Sequence, residues 1–254
     1  MDGLFSQGSY ALRFVWGVSG AERSNTDVAV VVDVLSFSTA VSIAVDRGMV
    51  VFPYRWADES AAAFARDHSA VLAVGRLEAL RSGSVSPSLS PSALLRCTPA
   101  PRLVLPSPNG SSIAEELRSR GVEVVVGCLR NASAAARYVE SALEAGQSAT
   151  FVAAGERWAG SNSLRPCLED HLGAGAALAA LAAAGFGDRM SPEARAAALL
   201  FSAHGAALSQ TIRDSVSGRE LDAQGFGSDV AAAVEMDTSP NTPALIDGAF
   251  ALVD

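Results

Sequence analysis

Short valine-rich runs alternate with longer alanine- and leucine-rich stretches along most of this chain, which limits the folds it can adopt. The run at 28–32 is apolar at every position, as is typical of a strand buried on both faces of a parallel sheet. The longer stretches have the apolar content and the preceding capping residues of helices. The alternation therefore predicts an α/β protein, with a layered α/β/α arrangement around a largely parallel or mixed sheet.

The same pattern locates the individual elements. We expect strands near 10–16, 27–35, 49–54, 71–75, 102–106, 122–126 and 149–154. Helices are expected near 38–47, 58–67, 111–120 and 132–145. Further helices near 168–184, 192–202 and 204–213 precede a last strand-like segment at 244–247. The C-terminal third is therefore expected to be rich in helix.

Length and composition indicate a folded chain. Its 254 residues, 49% hydrophobic and 18% charged, can bury a substantial core, and we expect one α/β domain over 1–254. Residues 81–101 are crowded with serine and proline and lack periodicity. They predict a surface loop, or a boundary between two substructures.

Charge and hydropathy exclude several classes of partner. The formal net charge of -8 argues against nucleic acid and anionic membranes as partners. All 19 basic residues are arginine, so lysine-dependent chemistry is excluded, and an anion must be bound by arginine, backbone N–H groups or a metal ion. No apolar run approaches the roughly 20 residues of a spanning helix, and no secretory signal opens the chain, so we expect a cytoplasmic protein. Cys97, Cys128 and Cys167 lie far apart and are expected to be packing residues.

The first segment that could carry chemistry is VVVDVLSFSTA at 30–40, where an apolar strand ends at Asp33. Ligands of open α/β sheets bind beyond the carboxyl ends of strands, so Asp33 is placed to bind Mg²⁺ or to attack phosphorus. Ser36, Ser38 and Thr39 open the next helix, whose free N–H groups suit a phosphate. The alternative is that Asp33 and Ser36 only cap this helix.

Two later strand-to-helix turns, LPSPNGSSIAEEL at 105–117 and the GCLRNASAAA segment from 127, repeat this arrangement. They place Asn109, Gly110 and Ser111 in the first turn, and Arg130, Asn131 and Ser133 in the second. Gly110 allows a close approach of backbone to an anion, and Arg130 could pair bidentately with a phosphate or sulfonate. Each turn is also compatible with an ordinary capped helix start.

Acidic residues gather in a third region. Glu156 follows a predicted strand, and Glu169 and Asp170 begin an apolar helix at LEDHLGAGAAL. The helix dipole accounts for one acid at a helix start but not for all three residues. Glu78 and His204 also stand in apolar surroundings, and His204 could be a structural residue or a general acid.

The ordered set DVLSFSTA, SPNGSS, GCLRNASAAA, LEDHLGAGA and SAHGAAL resembles the 2-phosphosulfolactate phosphatase family, the ComB-like proteins. The resemblance runs from about Val28 to Asp237. It implies an α/β fold and a Mg²⁺-dependent phosphatase that converts (R)-2-phospho-3-sulfolactate to 3-sulfolactate and phosphate in coenzyme M biosynthesis. By position it assigns site roles to Asp33, Asn109, Gly110, Asn131, Ser133, Glu169, Asp170, His204 and Gly205.

Two departures from the family pattern concern anion binding. Ser36 stands where the family commonly has arginine, and GRLEAL from Gly75 replaces a GERGG-like stretch. Loss of an arginine removes a bidentate contact to phosphate or sulfonate, which Arg157 or Arg165 could replace. The substrate could therefore be a different small phosphorylated hydroxy acid.

These residues suggest metal-assisted hydrolysis of a phosphomonoester. Mg²⁺ would bridge phosphate oxygens to Asp33, Glu169, Asp170 and Glu156, while N–H groups at 109–111 face the developing charge. Asp33 would act as nucleophile or as metal ligand only. The alternative is a binding or regulatory protein of the same fold without turnover, whereas the absence of a GxSxG turn argues against a serine hydrolase. A homodimer is the default expectation for such an enzyme.

Overall fold

The computed structural model describes residues 6–56, 58–82, 87–161 and 163–253. Its strands are β1 (Leu12–Trp16), β2 (Val28–Val32), β3 (Val50–Tyr54), β4 (Val71–Leu72), β5 (Arg102–Pro106), β6 (Glu123–Gly127), β7 (Ala149–Ala153), β8 (Glu156–Arg157), β9 (Leu164–Arg165), β10 (Ala244–Ile246) and β11 (Ala249–Ala251). Its α-helices are α1 (Gly17–Arg23), α2 (Phe37–Asp46), α3 (Glu59–Asp67), α4 (Arg76–Ser82), α5 (Pro91–Arg96), α6 (Gly110–Ser119), α7 (Ala132–Glu144), α8 (Leu168–Leu181), α9 (Pro192–His204), α10 (Leu208–Asp214), α11 (Val216–Ala223) and α12 (Gly227–Ala233).

Within these ranges nine strands form one mixed sheet, in the order β1-β7-β2-β6-β10-β11-β3-β5-β4. The strands β1, β7, β2 and β6 pair in parallel, and so do β3, β5 and β4. The hairpin β10–β11 pairs antiparallel with β6 on one side and with β3 on the other. Three successive antiparallel pairings therefore make the two parallel groups run in opposite directions.

The sheet is covered on both faces because its central strands are apolar at every position. All five residues of β2 are buried. Val28, Val30 and Val32 belong to one hydrophobic cluster, which includes Leu172 and other residues of α8. Ala29 and Val31 belong to a second cluster, formed with residues of α2 and α6. Since successive side chains of a strand point to opposite faces, the layered α/β/α arrangement predicted from sequence is confirmed.

The C-terminal third is helical from α8 to α12, as predicted. The helices α8 and α9 pack closely because Gly175 carries no side chain: a Cβ there would lie 2.3 Å from the Ala197 carbonyl oxygen. One expected helix, 204–213, begins later than predicted. Gly205, with φ +46°, ends α9, and α10 begins at Leu208 after a short 3₁₀ turn.

The segment 81–101 differs from the predicted loop. It contains α5, whose N-cap Ser90 accepts a hydrogen bond from Ala93 N and is followed by Pro91 at the first helical position. Leu94 and Cys97 are buried in the same cluster as residues of α2. Residues 83–86 of this segment lie outside the described ranges. Among the described helices, none is long and apolar enough to cross a membrane.

Candidate active site

A small polar cavity of about 150 Å³ lies where the ends of β2 and β7 meet the starts of α6 and α8. Its walls include Asp33, Arg76, Asn109, Glu156, Arg165, Cys167, Glu169, Asp170, Ser217 and Glu220. Over the described residues, five acidic side chains and two arginines thus surround a space suited to a small molecule. A larger cavity of about 840 Å³, lined by Leu77, Leu89 and prolines, adjoins it and shares Arg76.

Asp33 is held at the meeting point of two helix starts. Its Oδ1 accepts a hydrogen bond from Phe37 N at 3.1 Å, and its Oδ2 accepts one from Gly110 N at 3.2 Å. Position 110 needs glycine because a Cβ there would lie 2.2 Å from Cδ1 of the buried Phe37 ring. The absence of a side chain at Gly110 therefore lets α6 approach α2 and bring its first N–H group to the carboxylate.

The hydroxyl groups near Asp33 stabilise this turn. Ser38 Oγ accepts a hydrogen bond from Asp33 N and donates one to the Val31 carbonyl. Thr39 Oγ1 donates to the Val34 carbonyl at 2.8 Å. Both side chains are buried and both bond to backbone, so they shape the turn and do not line the cavity.

The remaining hydroxyls of the first two motifs have different partners. Ser36 accepts a hydrogen bond from Arg76 Nη2. Ser111 is buried, with its Oγ 3.5 Å from the Leu105 carbonyl, and borders a different cavity. Asn109 does line the polar cavity, where its Nδ2 donates to Glu156 Oε1 at 3.1 Å.

The acidic pair at the start of α8 divides into two environments. Asp170 accepts hydrogen bonds from Val34 N at 2.7 Å and from Gly155 N at 2.8 Å, and so ties the chain after β2 to the chain after β7. Glu169 is only 3% exposed, lines the cavity and has no hydrogen-bond partner among the described residues. Glu169 is therefore a buried carboxylate available to a ligand.

Burial and mutual repulsion raise the pKa values of Asp33 and Asp170. Burial, together with the neighbouring Glu156 charge, raises the pKa of Asp33 to about 6, although its two N–H donors and Arg76 oppose the shift. Burial and then the charges of Asp33 and Glu169 raise the pKa of Asp170 well above its usual value. The cavity is a concentration of negative charge that a cation would stabilise.

The walls of the cavity also include one thiol and two arginine side chains, those of Arg76 and Arg165. The Cys167 thiol is buried there, and burial together with Asp170 and Glu169 raises its pKa, so it stays protonated at neutral pH. Arg165 lines the cavity and its Nη2 donates to Ser217 Oγ at 3.3 Å, whereas Arg157 is exposed and borders a neighbouring cavity. Arg165, and not Arg157, is placed to meet a ligand of the polar cavity.

Arg76 and its buried partner Asp229 were not predicted as site residues from the sequence. Arg76 begins α4, lines the cavity, and donates from Nε to Asp229 Oδ2 at 3.2 Å. The signal available was an arginine directly after a predicted strand, in a chain whose basic side chains are all arginine. Glu78, the residue singled out in that stretch, is exposed and borders the larger cavity.

Four other predicted site residues have structural partners and are absent from the described lining of the polar cavity. Arg130 pairs with Glu235 at 2.6 Å, and Asn131 bonds to the backbone of Cys128, Val126 and Asn241. Ser133 donates from N and Oγ to Asp237. His204 Nδ1 lies 2.7 Å from the Leu200 carbonyl, within its own helix.

The residues of the cavity suit a hard cation by their chemistry. The carboxylate oxygens of Asp33, Glu169 and Asp170 are the ligand type that Mg²⁺ prefers. In the described part of the chain, no three acidic, histidine or cysteine side chains are arranged as a complete metal-binding group. Mg²⁺ is usually held by one or two carboxylates, with water and substrate phosphate completing its shell, so it does not require such a group.

Comparison with known proteins identifies the family of the chain. A search of curated proteins finds no significant match. A family model described as 2-phosphosulpholactate phosphatase matches residues 18–248, and so covers every residue of the cavity. The chain belongs to the 2-phosphosulpholactate phosphatase family of phosphoric monoester hydrolases.

Proposed function

We propose that this protein is a Mg²⁺-dependent phosphatase that hydrolyses 2-phospho-3-sulfolactate to 3-sulfolactate and phosphate, the coenzyme M reaction that its family resemblance implies. Family membership supports the reaction class. The small cavity supports a small substrate. Two arginines in its wall, Arg76 and Arg165, are suited to a substrate that carries a second anionic group besides the phosphate.

One observation supports the metal more than any other. Glu169 is 3% exposed, has no hydrogen-bond donor among the described residues, and faces the cavity beside Asp33 and Asp170. Carboxylates that face one small cavity repel one another, and a cation held among them relieves that repulsion. Asp33 and Glu169 would hold Mg²⁺, which when bound supplies Lewis-acid stabilisation of the phosphoryl oxygens.

The chain itself orients the reacting groups. Asp170 fixes the chain after β2 and β7, and the N–H groups of Phe37 and Gly110 fix the Asp33 carboxylate. If Asp33 is the nucleophile, its oxygen attacks phosphorus, the ester oxygen leaves with a proton from solvent, and water then releases phosphate from the aspartyl-phosphate. Trapping that intermediate with borohydride, which reduces an aspartyl-phosphate, distinguishes this role from metal binding alone.

The test is phosphate release from a panel of phosphomonoesters in the presence of Mg²⁺ or EDTA. The panel contains phosphosulfolactate, phospholactate and a phosphomonoester with an added apolar group, because the 840 Å³ cavity adjoins the polar one. Mg²⁺-dependent release that prefers the sulfonate, and that Asp33→Asn abolishes, would support the proposal. Full activity of Asp33→Asn would refute the site. Ligand or Mg²⁺ binding without release from any ester would identify a binding protein.

A further inference from the structure

The guanidinium group of Arg76 is anchored along one edge and free along the other. Its side chain is 18% exposed and lines the polar cavity. Nε donates to Asp229 Oδ2 at 3.2 Å, and Nη2 donates to Ser36 Oγ. Nη1 has no hydrogen-bond partner among the described residues. Both anchors use the Nε–Nη2 edge, which leaves Nη1 and the second Nη2 hydrogen for a ligand.

Asp229 is fully buried, and both of its carboxylate oxygens accept hydrogen bonds. It lies on α12, and its Oδ1 accepts hydrogen bonds from Ser90 Oγ at 2.5 Å and from Ser92 N at 3.1 Å. Its Oδ2 accepts from Arg76. The carboxylate therefore joins α12 to the start of α5 and fixes the direction of the Arg76 side chain. A buried ion pair of this kind contributes little net stability compared with apolar packing, so orientation is the better account of it.

The negative charge of the cavity favours a firmly held arginine in its wall. Asp33, Glu156, Glu169 and Asp170 line a space into which a phosphate group would have to enter. The acids repel an anion that enters this space. A positively charged side chain offsets the repulsion only if it is held close to the anion, because the attraction falls with distance. Arg165 is half-buried, as Arg76 is, but it is held by a single hydroxyl, that of Ser217. Arg76 is the better fixed of the two arginines in the described lining.

We infer that Arg76 binds oxygens of the substrate phosphate with the free end of its guanidinium group, and that Asp229 is a positioning residue that holds Arg76 without touching the substrate. Ser36 serves as the second support of the same edge. The inference rests on the proposed function for the identity of the ligand as a phosphate ester. The anion-binding step itself is measurable without turnover.

The experiment measures binding of inorganic phosphate by calorimetry, and kcat and KM for the best ester of the panel. The variants are Arg76→Ala, Arg76→Lys, Asp229→Asn and the double variant Arg76→Ala with Asp229→Asn. We expect the phosphate Kd to rise about 30-fold or more in Arg76→Ala and about tenfold in Asp229→Asn. The double variant should equal Arg76→Ala within about twofold, because Asp229 acts only through Arg76. Arg76→Lys keeps the positive charge but loses the planar pair of N–H donors, so its phosphate Kd should lie between those of the native protein and Arg76→Ala.

A matched control is Arg13→Ala. Arg13 is buried, is held by the carbonyls of Tyr10 and Asn25, and does not line the cavity. It should lower the melting temperature and leave the phosphate Kd unchanged. An Asp229→Asn protein that is less stable but binds phosphate normally would reduce Asp229 to a structural role and overturn the inference, as would additive effects in the double variant. Normal phosphate binding by a folded Arg76→Lys protein would also overturn it. Arg76-dependent phosphate binding without release from any ester would refute the proposed function and leave this inference intact.

Discussion

Glu169 has no donor among the described residues, and its charge repels that of the neighbouring Asp170 in the metal-free protein. We expect Glu169→Gln to raise the unfolding free energy in EDTA by about 1 kcal/mol, or the melting temperature by about 2–4 °C, while it raises the Kd for Mg²⁺ tenfold or more. Thermal melts with EDTA and a Mg²⁺ titration measure both effects. Glu193→Gln, at the equivalent position in the first turn of α9 but exposed, should change neither. A less stable Glu169→Gln protein with unchanged Mg²⁺ affinity would contradict this role.

Asp33 makes the stability of the metal-free protein depend on pH. Its folded-state pKa of about 6 lies above the ordinary value of 3.8, so the folded protein binds more protons than the unfolded chain between these pH values. The contribution of Asp33 is therefore favourable below pH 4 and is lost as the pH rises through 6, on the order of 3 kcal/mol in all. Urea unfolding in EDTA at pH 4 to 7 should show a steeper fall for the native protein than for Asp33→Asn. Equal slopes would contradict the raised pKa.

The site was predictable from sequence to the extent that strand ends define it. Asp33, Asn109 and Glu156 follow or adjoin apolar strands, and all three line the cavity. Arg76 directly follows the strand expected at 71–75 and was missed because Glu78, in the same stretch, was chosen instead. Asp229 carried no local signal at all, since its role depends on contacts with Ser90 and Ser92 some 140 positions away.

The helices α2 and α6 form the contact on which the position of Asp33 depends. Gly110→Ala would place a Cβ 2.2 Å from Cδ1 of Phe37, so we expect the helices to separate and the hydrogen bond from Gly110 N to Asp33 to be lost. We expect a loss of about 1–3 kcal/mol in the unfolding free energy and a loss of most phosphatase activity. Gly187→Ala is the control, since a Cβ there has nothing within 4 Å and its φ is -56°. Denaturant unfolding and phosphate release measure the two effects; an active, stable Gly110→Ala protein would refute the steric argument.

Long apolar elements were predicted well because their periodicity is local. The strands β2, β3, β5, β6 and β7 lie within a residue or a few of the expected bounds. Several short helices were not predicted, because seven or eight residues make too few turns to show a helical period. These helices are α1, α4, α11 and α12. The polar cavity is closed by α11, which supplies Ser217 and Glu220, so part of its wall could not be foreseen.

The arrangement of the whole sheet depends on pairings between segments far apart in the chain. A run of apolar strands with helices between them predicts parallel neighbours, and within each group this is correct. The opposite direction of the two groups arises only because the C-terminal hairpin inserts between β6 and β3. A strand-like segment at 244–247 was predicted from the sequence, but β11 was not, since three residues after a tight turn give no pattern of their own.

Phe250 joins these two halves of the sheet. It is fully buried in β11, pairs with Val51 of β3, and contacts the Phe37 ring edge-on at 6.0 Å between centroids. Phe250→Ala should cost about 3–5 kcal/mol in denaturant unfolding. Phe37 N also donates a hydrogen bond to Asp33, so a displaced Phe37 should displace this carboxylate. We therefore expect a higher Kd for Mg²⁺ at temperatures where the variant is still folded. Leu252→Ala, two residues on and 45% exposed, should do neither. If Phe250→Ala lost stability but bound Mg²⁺ normally, the hairpin would support the sheet independently of the site, and the contact between Phe250 and Phe37 would carry no functional coupling.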